Sequence, residues 1–148
     1  MAMLALSVDG CSSPNAGPAV EHEQFSFSCC AGLDAAPVAH AGETLTFRWN
    51  VETIGVSPDS LGSAVTLTAV LTGPYGSVAL VKTGGDHSET ISAAAIHATT
   101  EAPGDPVSTI DIPSDLPPGW YNVTFATRYQ SGSRVSSGTV IEVTRAVP

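Results

Sequence analysis

"SDLPPGWYNVTFATRY", residues 114–129, is the stretch whose reading decides the fold. Two prolines and a glycine enforce a turn, because proline fixes φ and glycine accepts conformations that other residues avoid. The run then alternates. Tyr121, Val123 and Phe125 fall on one face, and Trp120, Asn122 and Thr124 on the other. A period of two marks a strand with one buried face. Tyr121 stands at the strand's start, so its ring can enter a core while its hydroxyl reaches back to the backbone of the turn.

The same period recurs upstream. In "ETLTFRWNVET" (43–53), Leu45, Phe47, Trp49 and Val51 share a face opposite Thr44, Thr46, Arg48, Asn50 and Glu52. In "AVTLTAVLTGP" (64–74), Val65, Leu67, Ala69 and Leu71 point inward. "GPYG" (73–76) reads as a turn, and "SVALVK" (77–82) as its hairpin partner. "TISAAAIHATT" (90–100) mixes helix-favouring alanines with strand-favouring Thr and Ile; in this company it reads as a strand. "VSTIDIP" (107–113) is a short strand, "SGSRVSSG" (131–138) a polar turn and "TVIEVTR" (139–145) the last strand. Near the start, "MLALSVDG" (3–10) and "HEQFSFSCC" (22–30) read as strands joined by a Gly/Pro-rich connection. On the second, Phe25, Phe27 and Cys29 share a face.

This pattern predicts an all-β chain of eight or nine short strands, in two packed antiparallel sheets rather than a barrel. One domain over residues 1–148 is expected, with irregular N-terminal strands over 1–40 and a core sandwich over 41–146. A chain of 148 residues buries enough surface to fold without metal or disulfide. Fourteen carboxylates against five basic groups make a surface that repels nucleic acid and anionic lipid. No apolar stretch is long enough to span a bilayer, so no membrane insertion is expected. "MAMLALSV" lacks the basic and small-residue flanks of a signal peptide.

The turn and strand around Leu116, Pro117, Pro118, Gly119, Trp120, Tyr121 and Val123 resemble the E–F corner of immunoglobulin-like and fibronectin-III-like domains. There a proline/glycine turn leads into a strand whose first inward residue is Tyr. The resemblance covers mainly residues 43–145, in the order of strands B to G, and makes Gly119 and Tyr121 corner residues. It implies a fold and no particular function. No cysteine follows Cys30, so the antibody bridge between strands B and F has no counterpart. In this the chain resembles the disulfide-free Ig-like modules of bacterial and phage surface proteins.

The three cysteines are Cys11, Cys29 and Cys30. Cys29 and Cys30 point to opposite faces of a strand. Pairing Cys11 with Cys30, or with Cys29, would close a loop of roughly 20 residues worth about 3 kcal/mol. A bond between the two neighbours is disfavoured by its geometry.

His22, His40, His87 and His97 show no recurring ligand spacing, and loop carboxylates Asp59, Asp86, Glu101, Asp105 and Asp115 form no calcium-loop motif. Neither a metal nor another cofactor is expected. "NVT" (122–124) matches a glycosylation acceptor and is read as a chance match. No nucleophile elbow, phosphate loop or dinucleotide fingerprint occurs, and "GGDHSE" (84–89) cannot by itself form a converging triad. The chain is therefore read as a non-enzyme.

The function expected is a binding or structural module that makes protein–protein contacts, extracellular or displayed on a cell surface, with its oligomeric state open. One alternative is a carbohydrate-binding module that stacks a surface glycan on Trp120, Tyr129 and Tyr75. Another is a capsid or tail decoration domain of a phage virion.

Overall fold

The computed structural model describes residues 22–30, 38–57 and 63–146. Each apolar alternation becomes a strand. β1 spans His22–Cys29, β2 Val38–His40, β3 Thr44–Ser57 and β4 Ala64–Tyr75. After a short helix α1, Val78–Thr83, come β5 (Glu89–Ser92), β6 (Ile96–Thr99), β7 (Val107–Asp111), β8 (Gly119–Tyr129) and β9 (Arg134–Thr144). The expected strand over residues 3–10 lies outside the described residues.

The strands form two sheets. The smaller has the order β1-β3-β7, and the larger runs β2-β9-β8-β4-β5, with β6 on β4 beyond β5. β2 joins β9 in parallel, Val38 opposite Glu142 and His40 opposite Thr144. The remaining pairs are antiparallel. With β3, β4, β7, β8 and β9 in the places of strands B, C, E, F and G, this is an Ig-like β-sandwich. β1 pairs with β3 from His22 to Cys29, so this N-terminal strand is part of the smaller sheet.

The core is what the alternation predicts. Val65, Leu67, Ala69 and Leu71 of β4, with Tyr121, Val123 and Phe125 of β8, face Phe27, Phe47, Trp49 and Ile110 of the smaller sheet. Phe125 packs edge-on against Phe47 at 4.9 Å and against Trp49 at 5.9 Å, an arrangement that ring quadrupoles favour. The polar side-chain groups buried at this interface are hydrogen-bonded. Trp49 Nε1 donates to Ser108 Oγ at 2.9 Å, and Thr127 Oγ1 donates across the sandwich to the Phe27 carbonyl at 3.3 Å.

Three segments depart from the sequence reading. "SVALVK" is not a hairpin partner but helix α1. Ser77 caps its N-terminus by accepting from Leu80 N at 3.2 Å, and Gly84 ends it at φ 72°. Val81 is buried, which holds this single apolar helix face against the sandwich. "TISAAAIHATT" is two strands rather than one. β5 and β6 both pair with β4, interrupted at residues 93–95. β9 begins at Arg134, inside the expected polar turn, because residues 134–138 complete the hairpin with β8 while exposed on both faces.

The aromatic contact between sheets makes Phe125→Ala the most damaging change among these core positions. It is expected to cost about 3–5 kcal/mol, read from the midpoint of urea unfolding.

Candidate functional site

The corner that starts β8 is built as its sequence suggests. Tyr121 is fully buried, and its hydroxyl donates to the Pro117 carbonyl at 2.6 Å. The neighbouring strand gives way to the ring: a Cβ on Gly73 would lie 2.5 Å from Tyr121 Cδ1. A Cβ on Gly119 would lie 2.9 Å from Pro74 Cβ. Burial, and secondarily the negative charge of Glu89, push the Tyr121 phenol from its ordinary 10.0 up to about 12. This corner is scaffold. It fixes which face of β8 looks outward.

The aromatic residues considered for sugar stacking do not form a row. Trp120 is half-buried on the outward side of β8. Tyr129 lies at the far end of the same strand on the inward side, packed against the core. Tyr75 is buried, with its hydroxyl 3.2 Å from Thr72 Oγ1 and 3.2 Å from His87 Nδ1. Cys29 and Cys30 both pack against the core and set their sulfurs against one another. Cys11 lies outside the described residues, as does Asp59.

The histidines whose side chains are described, His40, His87 and His97, are dispersed. His40, on β2, contacts Thr144 Oγ1 through Nδ1. His87 meets Tyr75, and His97 is exposed on β6. Asp105 is paired with Arg48 at 3.5 Å. No group of three or more His, Cys, Asp or Glu could hold a metal ion among the described residues. No helix among them is long and apolar enough to cross a membrane.

What the fold assembles instead is the outer face of the larger sheet. β4 contributes Thr66, Thr68, Val70 and Thr72, and β8 contributes Trp120, Asn122, Thr124, Ala126 and Arg128. β9 adds Arg134, Ser136, Gly138, Val140 and Glu142. Gly138 leaves room for Asn122, whose Oδ1 would be 3.1 Å from a Cβ there. Asn122 Nδ2 donates to Thr124 Oγ1 at 3.1 Å. At one end of this face a cavity of about 210 Å³ is lined by Thr66, Thr68, Ala126, Arg128 and Arg134. The sequence singled out none of these five. Arg128 carried a signal in its outward parity on β8; Arg134 had none, since it lay in the supposed turn.

No protein-family model matches the chain, and no curated protein matches it. Solved structures similar to it include the following two. The sporulation control protein Spo0M of Bacillus subtilis aligns at 11% identity and a TM-score of 0.41, over 85% of this chain and 50% of that one. The chain thus spans about half the length of that Spo0M chain. Murine CRIg aligns at 10% identity and a TM-score of 0.35, over 83% of this chain and 98% of that one. Neither likeness carries an argument about function. The Ig-like assignment rests on the strand order and the Tyr121 corner.

Tyr121→Phe is expected to lose about 1 kcal/mol with the fold retained. It also changes the alkaline limb. The unfolded chain releases the Tyr121 proton near pH 10.0 and the folded chain only near 12, so the native state binds more protons in that window. Stability therefore falls as pH rises through it, and unfolding of Tyr121→Phe followed over the same range should show a shallower decline.

Proposed function

We propose that this domain is a non-enzymatic binding module that makes protein–protein contacts through the outer face of its larger sheet. The observation that carries the reading is the distribution of charge. Between Glu142 at one end and Arg128 and Arg134 at the other, the outward side chains of the three central strands of that sheet, β4, β8 and β9, are uncharged. Their outward side chains are mostly Thr, Val, Asn, Ser and one Trp, many half-buried and with little freedom to lose on docking. Depletion of charge with an aromatic residue present is what the buried centre of an interface requires. On the smaller sheet the charged groups Asp111, Arg48 and Glu52 are spaced along the outer side instead, where their desolvation opposes association.

The setting, extracellular, cell-surface or virion, is part of this proposal. It is supported by the resemblance to Ig-like modules of bacterial and phage surface proteins. The glycan alternative is disfavoured because Tyr75, although opposite Trp120 in the register, is buried, and Tyr129 lies at the far end of β8 against the core.

Site-specific photocrosslinking tests the reading. A crosslinker placed at Thr68 or Thr124 should give a discrete protein adduct in extract of the source organism. The same group at Thr46 or Thr109, on the smaller sheet, should not. Excess unlabelled domain should suppress the adduct. Equal labelling from both faces, or none from either, would sink the proposal.

A further inference from the structure

We propose that Arg128 and Arg134 form a receptor for one carboxylate, carried by an acidic side chain of a partner protein docked on the larger sheet. This rests on the protein-binding reading above and names the chemistry of the contact.

The register is the first reason. Arg128 of β8 lies directly opposite Arg134 of β9. Like charges opposed across a strand pair destabilise the pair. The chain has five Lys and Arg residues and fourteen Asp and Glu, so two cations set side by side are conspicuous. The second reason is that no described residue satisfies either guanidinium. Both are exposed, and neither has an ion-pair or hydrogen-bond partner among the described residues. Arg48 does have one, Asp105. The third is shape. The two arginines flank the cavity of about 210 Å³, with the hydroxyl-bearing Thr66 and Thr68 on its other side and the small Ala126 between.

The chemistry of the occupant follows. A guanidinium presents a planar fork that matches a carboxylate bidentately. A polyanion would meet repulsion from the rest of a surface of net charge −9, whereas a lone carboxylate brings a single charge to the place where two cations stand together.

The experiment is an NMR titration that follows the Arg Nε–Hε signals of the intact domain. The probes are a short peptide with a single Glu, its Gln counterpart, and inorganic phosphate. The Glu peptide should give saturable shifts at Arg128 and Arg134 that weaken as salt rises, and the Gln peptide none. Arg128→Gln and Arg134→Gln should each weaken binding by about tenfold or more while leaving the amide spectrum native and Tm no lower. Absence of saturable shifts, or shifts indifferent to either substitution, would overturn the receptor. Phosphate binding in place of the Glu peptide would overturn its assignment to a carboxylate. Concentration-dependent self-association abolished by either substitution would overturn the foreign partner in favour of a second copy. The titration needs no partner, so it can fail while the crosslink from Thr68 stands, or succeed where the crosslink fails.

Discussion

The ring of Phe125 meets Phe47 at 4.9 Å and Trp49 at 5.9 Å, and through that contact the two sheets are held face to face. Sheets that stack about 10 Å apart need side chains long enough to meet in the middle. Antibody domains add a covalent bridge at this level, and its second cysteine falls two residues beyond the corner tyrosine. Here that position is Val123, fully buried. Dispersion and apolar burial, reinforced by the Thr127 hydrogen bond to Phe27, therefore do what a disulfide does in those domains. Such a sandwich tolerates little loss of volume at its centre.

From that core the geometry of the outer face follows without further freedom. Tyr121 is committed inward by its bond to Pro117 and by the bare backbone at Gly73. Side chains alternate along a strand, so every second residue from Trp120 to Arg128 is committed outward. The hairpin turn then sets the partner. Tyr129 N donates to the Ser133 carbonyl at 2.9 Å, which closes the turn and places Arg134 opposite Arg128. The paired arginines are thus a consequence of the corner at one end of β8 and the turn at the other.

This explains what the sequence revealed and what it concealed. β3, β4 and β8 are half-buried over long runs, and a period of two survives there in plain view. Helix α1 has six residues, too few for a helical period to show, and its Val and Leu content reads as strand. Its only local signals are the caps, Ser77 and Gly84. The start of β9 is exposed on both faces, so no apolar residue needs to alternate there. Even the separation of Trp120 from Tyr129 was written in the sequence, because nine residues along one strand is an odd number. The arginine pair was not. It depends on where the β8–β9 turn closes, and one residue of slip would set Arg134 against the other face.

The two faces of the sandwich make different physical demands on the same acidic chain. On the smaller sheet Arg48 is paired with Asp105, and Asp111 accepts a hydrogen bond from Thr44 Oγ1 at 2.7 Å. On the larger sheet charge is confined to the ends of the outer face, Glu142 at one and the opposed Arg128 and Arg134 at the other, with no counterion for the arginines among the described residues. A sequence with fourteen carboxylates could supply a partner for either arginine by a single nearby substitution, and the sheet would be more stable for it. Sites that must accept something from outside commonly retain such local destabilisation, since a counterion within the chain would compete with the ligand. A pair of cations beside a cavity, with no counterion among the described residues, is where an anionic side chain gains most by arriving.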